Sequence, residues 1–253
     1  MLEVKNLSFA YKKDHNILSD ISLSVEQGEV LSILGPNGTG KTTFIKCLNR
    51  IIEPQCGEVL FDGTNLSQMK QLDIAKMMAY VPQYTNRVFP VKVVDAVLMG
   101  RLPYAKRSYS EADKEIAFVM LRKLDLEQCA FRTVNELSGG ERQRVFIAAA
   151  MARRPHMIIL DEPTSSLDVK NQLLILKTIS DLAKQEKLAI IMTIHDLNLA
   201  SMFSDKILML KDSRIFAYGS TQAVLNKENI DVMYGVQTSV TVEDGYKHVR
   251  LLK

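Results

Sequence analysis

Two alternating stretches open the chain. Leu2, Val4, Leu7 and Phe9 form one rough period-two series and Ile17, Ile21, Leu23 and Val25 another, with the polar residues 12–16 between them. This spacing predicts two antiparallel strands at a sheet edge. An apolar run follows at 30–34, then a glycine-rich stretch and a helical pattern over 43–49. Residues 57–61 read as a strand, Asp62-Gly63 as a hairpin turn, and 79–81 as a short strand ended by Pro82-Gln83. From 92 to 126 the period lengthens to that of a helix. Val93, Val94, Val97 and Leu98 mark one apolar face, and Ile116, Val119, Met120 and Leu124 mark a second. The second begins after Ser110 and Asp113, spaced as a capping box. Helix is expected again at 137–152, after a Gly-Gly turn. Then come a buried strand at 157–160, a long amphipathic helix at 169–186, a buried strand at 188–193 and a short helix at 196–202. A hairpin at 206–218 turns on Asp212-Ser213, and 221–253 continues as short helices and a weak hairpin without a nameable motif.

Strands and helices alternating on either side of a glycine-rich loop predict an α/β protein with a doubly wound, mostly parallel sheet. The expected division is a domain over 1–220. Its α/β core comprises 1–82, with an N-terminal antiparallel β subdomain, and 134–220; an all-helical insertion occupies 83–133. Residues 221–253 extend the same domain.

Composition narrows the function classes. Of 253 residues, 32 are Lys or Arg and 29 Asp or Glu, so no whole-molecule field favours nucleic acid as a partner. Three cysteines without a C-x-x-C pair argue against a disulfide framework or a structural zinc site. No apolar run reaches the roughly 18 residues of a membrane span, and the first residues enter a strand pattern directly rather than a secretion signal.

The chemistry centres on residues 35–43, GPNGTGKTT. Gly35, Gly40, Lys41 and Thr42 satisfy G-x-x-x-x-G-K-[ST], and the stretch sits between a strand and a helix, as that motif requires. Its glycines allow consecutive N–H groups to curl into an anion-binding nest at a positive helix end. Lys41 would add a charge on the β- and γ-phosphates, and the Thr42 hydroxyl a ligand for Mg²⁺. Asp161 and Glu162 end a buried strand, where one carboxylate suits Mg²⁺ and the next suits an attacking water. Ser138, Gly139, Gly140 and Glu141 open a helix and read as a second anion site. Gln83, His195 and Tyr11 are ordinary alone; Tyr11 offers a flat ring for an adenine.

Taken in order and interval, residues 35–42, Gln83, 137–141, Asp161-Glu162, 165–168 and His195 resemble the nucleotide-binding subunits of ATP-binding cassette (ABC) transporters. The resemblance implies the ABC ATPase fold of the P-loop NTPases, with ATP and Mg²⁺ bound. It implies that Tyr11 stacks on adenine and that Gly35, Pro36, Asn37, Gly38, Thr39, Gly40, Lys41, Thr42 and Thr43 hold the phosphates. Thr42, Gln83 and Asp161 would serve the metal. Glu162 would be the catalytic base, Gln83 would sense the attacking water and His195 would contact the γ-phosphate. Ser138, Gly139, Gly140 and Glu141 would complete the site of a second copy in a head-to-tail dimer, with Ser166, Leu167 and Asp168 along its seam. Thr39 stands where serine is commoner in the family, and keeps the hydroxyl. Leu98-Met99-Gly100-Arg101 with Pro103-Tyr104, 137–145 (LSGGERQRV) and 194–200 (IHDLNLA) are similar to the ATPases of importers for iron–siderophore, haem and cobalamin complexes. Such a subunit implies permease partners, an extracytoplasmic binding protein acting indirectly, and a peripheral location on the cytoplasmic side of the membrane. The rival classes are a soluble ABC-type ATPase without a permease, an exporter or other importer subunit, and a nucleotide-gated subunit that does not hydrolyse ATP.

Overall fold

A computed structural model describes residues 1–12, 15–83 and 90–252. The contacts of the chain divide into two units, one formed by Met1–Met69 with Ile179–Lys253 and the other by Lys70–Thr178.

The first unit begins with β1 (Leu2–Lys12) and β2 (His15–Val25), antiparallel as their alternation predicts. Leu2, Val4 and Leu7 are buried on β1 and Leu18, Ile21, Leu23 and Val25 on β2. Leu18 takes the inward place expected of Ile17. Register shifts follow Leu7 and Phe9, and Asp20 has positive φ, so Phe9 opposes Leu18 and the alternation slips by one residue. Next come β3 (Val30–Leu34), α1 (Lys41–Leu48), β4 (Cys56–Phe61) and β5 (Thr64–Asn65). Asp62 and Gly63 make the turn between the last two, both with positive φ. The antiparallel sheet runs β2-β1-β4-β5.

The second unit opens with α2 (Gln71–Met77), which the sequence pattern did not announce, and runs directly into β6 (Met78–Val81). The helices α3 (Val93–Leu98), α4 (Glu111–Lys123) and α5 (Gly139–Ala152) follow, with α3 and α4 packed on α5. Ser110 and Asp113 form the anticipated capping box. The buried face of α4 is Asp113, Ala117 and Leu121, continued by Leu124, while Val119 points outward. Asp113 is drawn inward by Arg101, whose Nε donates to Asp113 Oδ1 at 2.8 Å and whose Nη1 donates to Ala152 O at 2.9 Å. At Gly100 a Cβ would lie 2.0 Å from Ala149 O. Gly100-Arg101 therefore lets this segment touch the α5 backbone and ties α4 to the end of α5. The strand β7 (Met157–Leu160), buried at every residue, pairs in parallel with β6. From there α6 (Val169–Gln185) carries the chain onward.

Back in the first unit, β8 (Ala189–Thr193), α7 (Leu197–Phe203), β9 (Lys206–Lys211) and β10 (Arg214–Ser220) follow. Parallel pairing places β3 between β8 and β9, and β10 folds back antiparallel on β9. β3 and β8 are buried throughout, the signature of strands covered on both faces. The remainder is α8 (Thr221–Val224), α9 (Lys227–Tyr234) and the hairpin of β11 (Thr238–Glu243) with β12 (Tyr246–Leu251).

Candidate nucleotide and catalytic site

The glycine-rich loop leaves β3 at Gly35. This residue is buried at φ 150°, and a Cβ on it would sit 2.5 Å from Leu210 O and 3.0 Å from Thr39 Oγ1, so no side chain fits. The Thr39 hydroxyl donates to Pro36 O at 3.0 Å, while Asn37 and Gly38 form the exposed crest. Gly40 stands at the N-cap of α1 in the left-handed region (φ 94°) and brings no side-chain oxygen to the cap. The first turn of α1 accordingly directs its N–H groups and the positive end of its dipole out of the helix mouth. Lys41 is buried there. Its ammonium donates to Gly35 O at 2.7 Å and Pro36 O at 2.9 Å, so the charge lies along the loop it follows. Thr42 is exposed at the mouth and Thr43 is turned inward.

Tyr11, 62% exposed, stands edge-on to Phe9 with ring centroids 4.9 Å apart, and its hydroxyl lies 3.4 Å from Thr43 Oγ1. An accessible aromatic face thus borders the first turn of α1. His195 belongs to the same unit. Thr193 pairs with Ile33 and the Ile194 N–H donates to Ile33 O, so the chain reaches exposed His195 two residues past the point where Gly35 lies two residues past its own. Both leave at the carboxyl ends of neighbouring parallel strands, the usual ligand edge of such a sheet. Asp196 caps α7 by accepting from the Asn198 and Leu199 N–H groups.

In the second unit, parallel pairing of Val81 with Leu160 brings Gln83 to the strand end carrying Asp161 and Glu162. Gln83 Nε2 donates to Glu162 Oε2 at 2.6 Å, and the Asp161 N–H donates to Val81 O. Asp161 is buried, and the Tyr80 hydroxyl lies 3.5 Å from its Oδ2. Burial first, then the Asp161 charge, pushes the Tyr80 phenol up to about 12, so it remains a donor to that carboxylate at any physiological pH. Glu162 has φ 48°, a left-handed backbone uncommon for a glutamate, and Ser165 donates to its carbonyl from both N–H and Oγ. Among the described residues, no three His, Cys, Asp or Glu side chains gather as a ready-made metal cage.

Ser138, Gly139, Gly140 and Glu141 also lie in the second unit, where Ser138 caps α5. Its Oγ accepts from the Glu141 N–H, and the Glu141 carboxylate in turn accepts the Ser138 N–H at 2.9 Å and hydroxyl at 2.7 Å. That hydroxyl, more than any other neighbour, holds the Glu141 carboxyl below its usual range. The turn rests on 165–171: a Cβ on Gly139 would meet Leu167 Cδ2 at 3.1 Å, and one on Gly140 would meet Asn171 Oδ1 at 2.4 Å. Asn171 is held by Asp168, which accepts from its N–H and side-chain amide and is itself kept below the ordinary carboxylate range by that backbone bond first. Ser166, at φ 65°, and Asp168 are exposed.

Against known proteins, a family model described as ABC transporter matches residues 18–165, more than half of the 253-residue chain. The chain belongs to the ABC transporter family. As an ATP-binding subunit of an ABC transporter it is an ATPase coupled to transport. An uncharacterized ABC transporter ATP-binding protein of Methanocaldococcus jannaschii is 46% identical over 240 residues, covering 95% of this chain and 93% of the relative. A Helicobacter pylori protein named for iron chelatin transport is 39% identical over 237 residues, covering 92% of each. Among solved structures, a metal-chelate type ABC transporter in an inward-facing conformation superposes with a TM-score of 0.87 at 29% identity, covering 100% of this chain and 97% of that one. A dimeric ATP-binding cassette in a post-hydrolysis state with ADP and phosphate superposes at 0.75 and 29% identity, covering 87% and 99%. The ABC ATPase fold expected from the motifs is therefore the fold of this ABC subunit.

Sequence reasoning passed over Asn171, on which Gly140 closes. The pair Asp168 and Asn171, three apart across the start of an amphipathic helix, was the available signal.

Proposed function

We propose that this ABC subunit drives a binding-protein-dependent importer of an iron–siderophore, haem or cobalamin-type metal chelate from the cytoplasmic side of the membrane. The reading is supported by the Helicobacter pylori iron chelatin relative and the metal-chelate type neighbour. Among the described residues no helix is long and apolar enough to cross a membrane, so integral permease subunits would supply the path. In this reading residues 83–133 form the helical subdomain of a 1–220 ATPase domain and receive the permease.

The observation that carries the ATP reading is the mouth of α1: glycine-framed, without a side-chain cap, with the Lys41 ammonium laid along it. Residues 35–43 hold the phosphates there and Tyr11 takes the adenine face. Thr42 and Asp161 would hold Mg²⁺ through the hard oxygens it prefers, and Gln83 would serve the same metal. Bound Mg²⁺ offsets the charge of the β- and γ-phosphates. Glu162 is the general base, oriented by Gln83, and His195 contacts the γ-phosphate. Two copies join head to tail, so that Ser138, Gly139 and Gly140 of one complete the phosphate site of the other, with Ser166, Leu167 and Asp168 along the seam. The dimeric neighbour supports this arrangement. ATP favours the closed dimer over the open one, and that difference in affinity moves the permease.

ATPase rate measured against subunit concentration tests the shared site. A rise faster than linear across the dimerisation range is expected, and strict proportionality would mean that one copy suffices. For the cargo, deleting the gene should abolish cellular uptake of a labelled iron chelate; undiminished uptake would send the subunit to another permease.

A further inference from the structure

No motif marks residues 221–252, yet they hold the helix that leaves His195. α7 has seven residues, a length at which a helix does not persist by itself, and a two-stranded hairpin such as β11–β12 also needs a neighbour to be stable. Each supplies what the other lacks. Asn198 closes on a single residue of β12 with both ends of its amide: the Val249 N–H donates to Asn198 Oδ1 at 2.7 Å, and Asn198 Nδ2 donates to Val249 O at 3.3 Å. One turn further along α7, buried Ser201 accepts the Lys247 N–H on its Oγ at 2.8 Å. Residues two apart on a strand face the same way and residues three apart on a helix are neighbours, so β12 runs antiparallel along α7 and its outer edge is satisfied there. At the far end of the helix the Thr221 hydroxyl donates to Ser204 O at 2.7 Å. The C-terminal stretch thus grips α7 from its first turn to its last. The first turn is the one next to His195, which stands three residues before Asn198. Between them Asp196 caps the helix, its Oδ1 accepting the Asn198 N–H at 2.8 Å and the Leu199 N–H at 2.9 Å. On the other side the Ile194 N–H is bound to Ile33 O at 3.3 Å. The His195 backbone is therefore set between the end of β8 and a capped turn that Asn198 pins to β12.

We propose that Asn198 is a positioning residue for His195: through its clamp on Val249, the C-terminal hairpin fixes the first turn of α7 and with it the place from which His195 meets the γ-phosphate. A catalytic group displaced by about 1 Å can cost on the order of 10²-fold in rate, so the start of α7 must be held, and the cap alone ties it only to itself. The bulk of ATP is gripped elsewhere, by residues 35–43 and Tyr11, so the clamp bears on kcat far more than on KM. The inference rests on reading His195 as the contact to the γ-phosphate, and it deepens that reading by giving the C-terminal hairpin a part in it.

The test is Asn198→Ala in the whole subunit, with ATPase rates taken at concentrations where the rate per subunit has stopped rising. Loss of the clamp should lower kcat about 3- to 10-fold, while KM for ATP and the Kd for a non-hydrolysable ATP analogue stay within about two-fold. Made in a His195→Ala background, the same substitution should change the remaining rate by less than about two-fold, because the residue it positions is gone. Amide exchange gives a reading independent of turnover: residues 195–199 should exchange faster in Asn198→Ala and residues 35–43 at the wild-type rate. Ser201→Ala, which removes only the Lys247 bond, should show the same pattern with a smaller fall in kcat, and it takes the place of Asn198→Ala if that variant does not fold. An unaltered kcat, or unaltered exchange at 195–199, overturns the proposal. So does a fall of undiminished size in the His195→Ala background, which would mean that the clamp only holds the fold together. His195→Ala alone separates the two readings: a normal kcat there removes the role of His195 itself, whereas a lowered kcat there with normal Asn198→Ala kinetics removes only the role of Asn198.

Discussion

Two helices of this ABC subunit begin at glycine, and they begin differently. α1 starts after Gly40 with no side-chain oxygen at its cap, whereas α5 starts after Ser138 with Ser138 and Glu141 locked in a reciprocal box. In sequence both look like anion sites, a glycine turn and a hydroxyl at a helix start. In the structure α1 keeps its positive end for a ligand, while α5 has already spent its Glu141 N–H on Ser138 and holds an acid beside it. A phosphate brought to α5, as proposed above, would face the Gly139 and Gly140 turn, whose N–H groups are not part of that box, and a carboxylate turned back on Ser138. The first helix start is suited to grasp a triphosphate alone. The second is suited to add a contact to one that is held elsewhere.

The sharpest way to separate chemistry from binding at these ends is Glu162→Gln. Loss of a general base should lower ATP turnover by about 10²–10⁴ while a fluorescent nucleotide still binds, and near-normal turnover would deprive Glu162 of its role. Next in size is a contrast within the phosphate loop. Gly40→Ala must accept φ 94° and a Cβ 2.9 Å from Ile17 O, whereas Gly38→Ala must accept φ 82° with nothing within 4 Å. Left-handed strain alone costs about 1–2 kcal/mol, so calorimetry should show both variants weakened and Gly40→Ala failing to bind ATP at concentrations that fill Gly38→Ala. At the other helix, Gly140→Ala drives a Cβ to 2.4 Å from Asn171 Oδ1. It should leave ATP binding to the isolated subunit intact and flatten the dependence of ATPase rate on protein concentration; an unchanged dependence would free the α5 turn from any part in the dimer.

Smaller effects probe the scaffolds. Ser138→Ala removes the cap of α5 at about 1 kcal/mol, a melting decrease of about 2–4 °C in a chain of this length. No equivalent cap exists to remove at α1. In the second unit, Arg101 first and Ser110 next hold the Asp113 carboxyl at about 2, against an ordinary 3.8. A carboxyl depressed by folding adds stability that is present above its unfolded pKa and lost as pH falls through the folded one. The melting advantage of the wild type over Asp113→Asn should therefore be full above about pH 4 and shrink as pH falls toward 2. An advantage that does not vary with pH would mean that the ion pair contributes only through shape.

Much of this was legible in the sequence because the determinants are local. The buried runs at β3, β7 and β8, the Ser110–Asp113 box and the glycine positions of 35–43 each carry their cause within a few residues. Three features were not legible, for physical reasons. α2 is too short to show a period, burying Ile74 alone while Leu72 is half exposed. The face of α4 was misjudged because a charged residue, Asp113, occupies a core position through its tie to Arg101, which rotates Val119 outward. The self-capping of α5 could be read from Ser138 and Glu141, but its consequence for anion binding required their oxygens in place.

The pairing of β3 also sets a timetable for synthesis. Val30 aligns with Ile190 on one flank and Leu31 with Lys206 on the other, so a nascent chain has exposed this strand and its loop long before either neighbour has been translated. Until then an apolar ribbon waits without partners, the condition under which chains associate wrongly and chaperones are recruited. A released chain truncated after residue 220, which holds both neighbours of β3, should therefore be far more soluble than one truncated after residue 180, which holds neither.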